Sequence, residues 1–328
     1  MNYALTILDV ETVELHYWLN DGTHTLNAHI FNKCECEFLG IANELSKALR
    51  LPVEIEVEPI GEGGIRAWFK FKKKTKDALK LAVLIFLLTD ILGAPLKTSL
   101  ECLTQQVLEK IFEDPEIKRL EKEKKVAELE LDIAKAKAET ERLCGEIDEN
   151  KIKKKRSNYY ETASQSKKIE KISIIATDAG KEFDFNKKDV LAADFKHFVM
   201  TSDDVEPDVD ETAIIEIISP VLKKGKYPWV GIYNGEVIQF KMKSNEFKGM
   251  VLNGQVPFKN GSSITCLLVT NKRIDNEGDI KITGHEVTEV YSFFENDSPI
   301  ETPEGKRKRQ KREAEERQLY LFNEGDFK

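Results

Sequence analysis

The sequence predicts an α+β protein with a small N-terminal ββαββ head, an apolar helical hairpin, a long coiled-coil helix and a C-terminal, mostly β domain. Two observations carry this prediction. An almost purely aliphatic run at 79–96 passes within twenty residues into one of the most charged stretches of the chain, and short strand-like runs dominate residues 170–294. A chain of 328 residues can hold two or three domains. The predicted segments are residues 1–74, 75–112, 113–169, 170–294 and a basic tail at 295–328.

Residues 1–74 predict the α+β head. The strand-like runs LTIL at 5–8 and VELHYWL at 13–19 predict two strands, next to the hairpin signal Asn20-Asp21-Gly22. A helix over about 28–49 follows, since apolar residues recur there at three- and four-residue spacing. Alternating apolar and polar residues at 53–58 and 65–71 predict two further strands.

Residues 75–112 predict two apolar helices. Between Leu81 and Leu92 only Thr89 and Asp90 are not apolar, so this helix must be buried on all sides. A bilayer span needs about 20 apolar residues, so the length favours a core helix, while a membrane element stays open. In lipid, Asp90 would have to face a partner or a water-filled pore. The candidate membrane or pore residues are Leu81, Leu84, Ile85, Leu88, Asp90 and Leu92.

Residues 113–169 predict a long polar helix. Apolar or small residues from Leu129 to Ile147 alternate four- and three-residue steps, which is the seam of a left-handed coiled coil. A solvated single helix is the alternative, but so long a polar helix needs a partner to be stable. We therefore expect a parallel homo-oligomer, most simply a tetramer, which gathers all copies of the apolar helix at one end.

Residues 170–294 predict a small barrel or sandwich, with a strong hairpin signal at Asn234-Gly235. A basic stretch there is interleaved with aromatics, as grooves for single-stranded nucleic acid require. In the alternative interpretation, the aromatics are core residues and the lysines lie in a turn. The candidate nucleic-acid-binding residues are Lys223, Lys224, Lys226, Trp229 and Tyr233.

Composition and motifs narrow the function classes. The net charge of −8 disfavours broad nonspecific binding to nucleic acid and leaves only local basic patches for phosphates. Five scattered cysteines do not form the framework of a secreted protein, which fits a reducing cytoplasm. The Cys34-x-Cys36 pair lacks a second pair, and no catalytic motif survives comparison with a structural role. We expect neither an enzyme nor a bound metal or cofactor.

The chain resembles a group of bacterial proteins found in anti-phage defence loci. A GG-[IL]-x-x-W-x-x-F turn occurs at 63–71, and an FEDPE-x-x-x-LEKEK segment occurs at 112–124. A third pattern, W-x-x-x-x-NG-x-x-I-x-F-x-M followed by F-x-x-x-V-x-x-G-x-V-x-F-x-x-G, runs from Trp229 to Gly261. Within that group it resembles the Hailong-type protein A effectors.

This resemblance implies an oligomeric ion channel in the bacterial inner membrane with cytoplasmic domains. The channel would be held closed by a short single-stranded DNA oligomer that a partner nucleotidyltransferase makes. The alternative is a soluble, cytoplasmic coiled-coil adaptor that binds a protein partner through its β domain.

Overall fold

The structure is a computed structural model that describes residues 7–22, 24–58, 65–72, 78–94, 100–113, 115, 138, 142, 146–181, 183–223, 225, 227–295 and 298–323. The chain forms two compact units. The first comprises Met1–Ser202 together with Asn276–Asp279, and the second comprises Asp203–Asp275 and Ile280–Lys328. The mixed α+β class is confirmed by helices and two sheets in these units.

The first unit contains a five-stranded antiparallel sheet in the order β2-β3-β1-β4-β5. Val13, Leu15 and Tyr17 of β1 and Ala67, Phe69 and Phe71 of β3 are buried at alternate positions on the core face, and β4 is buried at every position from Ile172 to Asp178. The strands are β1 (Val10–Leu19), β2 (Glu54–Glu58), β3 (Ile65–Lys72), β4 (Ile169–Asp178) and β5 (Asp184–Leu191).

Among the residues that the structure describes, four α-helices pack in the first unit: α1 (Ala28–Ala48), α2 (Ala78–Gly93), α3 (Leu100–Phe112) and α4 (Glu149–Ser164). Helix α1 buries the predicted stripe of apolar residues against α4. Helix α2 packs on β1, β4 and β5 and has no exposed face from Leu81 to Leu92, which explains why its sequence lacks a polar side. One continuous apolar core therefore joins all these elements.

The head differs from its predicted ββαββ order. One strand, β1, replaces the two expected before α1, and Asn20 to Gly22 form the turn that leads from β1 toward α1. The sheet is completed by β4 and β5, which the sequence assigned to the C-terminal domain. The division between the units consequently falls after Ser202 and not near residue 170. The physical reason is that the central strand β1 needs a second neighbour, and β4 supplies it along almost its whole length.

Most of the predicted coiled coil, including Leu129 and Ile133, lies outside the described residues. The described end of that segment is a separate helix, α4, which begins at Glu149 and is capped by Asp148. The Asp148 carboxylate accepts hydrogen bonds from the backbone N–H groups of Asn150 and Lys151, both at 3.1 Å. Tyr159 and Tyr160 of α4 are fully buried. Residues 149–164 thus form a core helix of the first unit, which the polar composition concealed.

The second unit is a small closed barrel, one of the two predicted alternatives. Its strands are β6 (Asp204–Ser219), β7 (Trp229–Tyr233), β8 (Glu236–Met242), β9 (Ser263–Ile274) and β10 (Ile280–Glu295). They pair in the ring β6-β7-β8-β10-β9, and β9 pairs back with β6. Only the β8–β10 contact is parallel. The predicted hairpin at Asn234-Gly235 joins β7 to β8, and both residues have the positive φ that its turn requires, 51° and 84°.

Helix α5 (Asn245–Leu252) connects β8 to β9, and its N-terminus is capped by Ser244. The predicted basic tail contains a short strand, β11 (Ser298–Glu301), and a 21-residue helix, α6 (Pro303–Asn323). Glu304 anchors α6, because its buried carboxylate accepts hydrogen bonds from the Ser244 hydroxyl at 2.8 Å and the Val290 N–H at 2.6 Å. The tail is therefore attached to the barrel at its first turn.

Candidate nucleic-acid interface

The predicted membrane residues of α2 lie in the core of the first unit. The side chains of Leu81, Leu84, Ile85, Leu88 and Leu92 are fully buried among apolar neighbours of the same unit. In the part of the chain that the structure describes, no helix is both long and apolar enough to cross a membrane. The role of these residues in a pore stays a prediction.

Asp90 is 9% exposed and is held by polar side chains of β5. Its carboxylate accepts a hydrogen bond from the Asn186 amide at 3.0 Å and forms an ion pair with Lys188 at 3.1 Å. Lys110 of α3 donates to the Asn186 side-chain oxygen at 3.2 Å and lies 5.0 Å from the centre of the Phe86 ring. Burial lowers the pKa of Lys110, and the nearby Asp90 carboxylate opposes this shift. Asp90 is thus the centre of an internal polar cluster that balances its charge.

The second unit carries a lysine-rich cavity of about 610 Å³, here called the lysine cleft. Three parts of the fold form it: the loop from β6 to β7, the adjoining ends of β7 and β8, and helix α5. Because side chains alternate along β8, Lys241 and Lys243 point outward while Met242 between them is buried. The side chains that matter for binding are Lys223, Tyr227, Trp229, Lys241, Lys243 and Lys248.

The lysine cleft contains two kinds of cation. Lys243 and Lys241 lie 3.7 and 4.0 Å from the Glu286 carboxylate, which partly offsets their charge. Within the described residues no carboxylate forms an ion pair with Lys223 or Lys248. These two ammonium groups are therefore the stronger attractors for an anion.

Two aromatic residues contribute differently to the cleft. Tyr227 is 65% exposed, so one face of its ring is open to a ligand. Trp229 is only 2% exposed, and its ring packs against Phe240, Phe247 and Phe258 at centroid distances of 6.2, 6.2 and 5.8 Å. Trp229 forms part of the cleft wall while acting mainly as a core residue, which is the alternative that the sequence left open.

The structure brings together some of the predicted binding residues and not others. Lys223 and Trp229 line the lysine cleft, whereas Lys224 and Lys226 lie outside the described residues. Tyr233 is not among the residues that line it. Its hydroxyl donates a hydrogen bond to Asp210 at 2.8 Å, and this bond raises the pKa of Tyr233.

Sequence reasoning missed the cations that the fold adds to the cleft. Lys241 lies on β8, Lys243 directly follows that strand and Lys248 lies on α5, about 20 residues after the basic stretch. The signal was the alternation Lys-Met-Lys at the end of a strand, with cations on its outer face and methionine inside. Only the pairing of β7 with β8 shows that this face adjoins the basic loop.

The described residues contain no group of three or more His, Cys, Asp or Glu side chains that could hold a metal ion. Comparisons with protein-family models, curated proteins and solved structures found no match for this chain.

Proposed function

We propose that the second unit is a binding module for a short single-stranded nucleic acid, which it takes into the lysine cleft. The observation that carries this proposal is the meeting of four lysines with one open aromatic ring in a single cavity. Grooves for single strands combine cations that neutralise phosphates with aromatic faces on which bases stack. Lys223 and Lys248 would hold phosphates, and Tyr227 would stack on a base.

The barrel supports the same proposal at the level of fold. Five strands in Greek-key order, with the helix α5 between the third and the fourth, resemble the OB-fold, whose second and third strands and adjoining loops bind oligonucleotides and oligosaccharides. The corresponding strands here are β7 and β8, which contribute residues to the cleft. This is an argument by analogy of fold, and the lysines supply the specific chemistry.

The test is fluorescence anisotropy with a labelled single-stranded DNA octamer of mixed sequence at low salt. Lys223→Glu and Lys248→Glu should each weaken binding at least tenfold, since each variant replaces an attraction for phosphate with a repulsion. Tyr227→Ala should weaken binding about fivefold or more through lost stacking. Its side chain is largely exposed, so the fold should tolerate the change.

Lys259→Glu is the matched control, because Lys259 is exposed in the same unit and does not line the cleft. Two results would overturn the proposal: a folded wild-type protein that does not bind the octamer, or a control that weakens binding as much as Lys223→Glu.

A protein partner for the barrel is the second candidate function. Large apolar side chains are exposed on the outer surface of β6 and β8, including Ile214 at 59% and Val237 at 67%. Large apolar side chains exposed on the surface of a folded unit can mark a protein contact site. Folded protein that binds no oligonucleotide would favour this soluble adaptor.

The membrane channel, the parallel tetramer, the partner nucleotidyltransferase and the role in anti-phage defence stay predictions from the resemblance and the stalk pattern. For α2 to enter lipid, its apolar side chains would have to leave the core of the first unit. Fractionation of cells that express the chain tests this point, and a pool that is entirely free of membranes without detergent would contradict the channel.

A further inference from the structure

A second cavity, of about 650 Å³, lies on the other side of Lys241 from the lysine cleft; we call it the polar cleft. It is formed by the end of β8, by the middle of β10 and by the end of β9, with the start of β6 at its margin. Its chemically useful side chains are Gln239, Lys241, Asn271, Thr283, His285 and Glu286.

The cations of the polar cleft are balanced by carboxylates. Lys272 forms an ion pair with Asp208 at 2.6 Å, and Lys241 lies 4.0 Å from Glu286. A phosphate entering this cavity would meet the negative charge of Glu286, and Asp204 also lines the cavity. The polar cleft is therefore unsuited to a phosphate, in contrast to the neighbouring lysine cleft.

What the polar cleft offers is hydrogen bonding by neutral groups. Gln239 is an outward-facing, exposed amide on β8, and Asn271 is a half-buried amide on β9. The Nδ1 atom of His285 lies 3.1 Å from the Thr270 hydroxyl, and Nε2 makes no hydrogen bond with any described residue. Burial lowers the pKa of His285, so its ring is neutral at neutral pH and can donate or accept. Glu286 lines the same cavity and adds a carboxylate acceptor.

The two clefts are adjacent. Lys241 lines both of them, and the cross-strand pair Trp229 and Phe240 places one aromatic residue in each wall, with ring centroids 6.2 Å apart. A nucleotide whose phosphate lies near Lys241 could thus direct its base into the polar cleft. Amide side chains pair with the amino edge of adenine, and carboxylates accept hydrogen bonds from the amino group of cytosine.

We propose that the polar cleft binds a nucleobase with an exocyclic amino group, adenine or cytosine, through Glu286, Gln239 and Asn271, and disfavours thymine. This inference rests on the proposed function, because it assigns base selection to a strand held in the lysine cleft. Thymine presents an acceptor where adenine and cytosine present an amino group, so its oxygen would face the Glu286 carboxylate.

The experiment compares the dissociation constants of labelled octamers of deoxyadenylate, deoxycytidylate and thymidylate on the full chain. Wild-type protein should bind at least one of the first two about tenfold more tightly than thymidylate, the discrimination typical of one good base contact. Glu286→Gln, whose amide can donate to thymine, should reduce this ratio to threefold or less. The ratio is the readout because the same variant also frees Lys241 and Lys243 and strengthens binding of all three octamers alike.

Gln239→Ala and Asn271→Ala should lower the ratio as well, while Asn260→Ala, an exposed amide outside both clefts, should leave it unchanged. Thermal unfolding would show that each variant is folded. Binding of all three octamers with equal affinity overturns the base selection and leaves the proposed function standing. Failure to bind any of them overturns both. A ratio that survives in Glu286→Gln and in both amide variants also overturns this inference.

Discussion

The polar cluster around Asp90 and the lysine cleft both contain lysines, but the lysines have opposite roles in the two places. In the first unit, Lys188 pairs with a buried carboxylate and Lys110 lies over the Phe86 ring, so their charges are satisfied inside the protein. In the second unit, Lys223 and Lys248 surround a cavity, and no described carboxylate pairs with either. The comparison teaches that partners and burial, rather than composition, decide whether a lysine stabilises a fold or is available to a ligand.

The largest expected effect is on the free energy of unfolding and concerns the buried helix α2 of the first unit. Leu88→Ala should lower the free energy of unfolding by about 3 kcal/mol, because it removes a fully buried side chain and leaves a cavity in the core. Urea unfolding of purified protein without lipid measures it. Val209→Ala, at an exposed position of the second unit, is the control and should change little. An unchanged stability for Leu88→Ala would mean that α2 does not pack in this core.

A smaller loss of stability is expected when the charge of Asp90 is removed. Asp90→Ala should destabilise the protein by about 2 kcal/mol, since it leaves Lys188 and the Asn186 amide without their acceptor. The partial exposure of Lys188 keeps the cost below that of a fully buried pair. Asp194→Ala removes an exposed partner of His197 and should be nearly neutral in the same urea unfolding assay. If the two variants behaved alike, Asp90 would have no structural role, and its predicted role in a pore would gain weight.

The smallest effect separates a structural tyrosine from a ligand contact. Tyr233→Phe removes the hydrogen bond to Asp210 and should cost about 0.5 kcal/mol at neutral pH, with no change in oligonucleotide affinity. The pKa of Asp210 is lowered, first by the Thr212 backbone N–H and then by Tyr233. Stability from this carboxylate is therefore full above its unfolded pKa, about 3.9, and is lost as the pH falls through the lower folded value.

The difference between Tyr233→Phe and wild type should accordingly shrink as the pH falls below the unfolded pKa of Asp210, which unfolding curves over a series of acidic pH values would show. Weaker DNA binding by Tyr233→Phe at neutral pH would instead support the prediction that Tyr233 contacts the nucleic acid.

Local patterns predicted much of this fold. The spacing of Phe38, Ile41 and Leu45 predicts α1, and the Asn234-Gly235 signal predicts the β7–β8 turn, because both depend on residues close in sequence. The assignment of β4 to the first sheet could not be found in this way. The apolar sequence of β4 does not indicate which strand it pairs with, and its partner β1 lies about 150 residues earlier.

The candidate site was predictable only where its residues are close together in the sequence. The basic loop at Lys223 was visible as a run of charges, whereas Lys248 joins it only because α5 follows β8 around the barrel. Asp90 was recognised as costly to bury, but its partner Lys188 lies on β5, a strand expected in another domain. Contacts between distant segments are what a single sequence does not show.

The pairing of β1 with β4 also has a consequence for biosynthesis. Strand β1 is complete at Leu19, yet its neighbour β4 ends only at Asp178 and β5, which pairs with β4, ends at Leu191, after the chain of α1 to α4 has been made. At about 5–20 residues per second, the ribosome needs roughly 10–30 s to supply them. Throughout that interval one edge of β1 has no strand to pair with, and α2 lacks much of the sheet that covers it. The nascent chain is therefore a predicted client of chaperones until the second of these strands emerges.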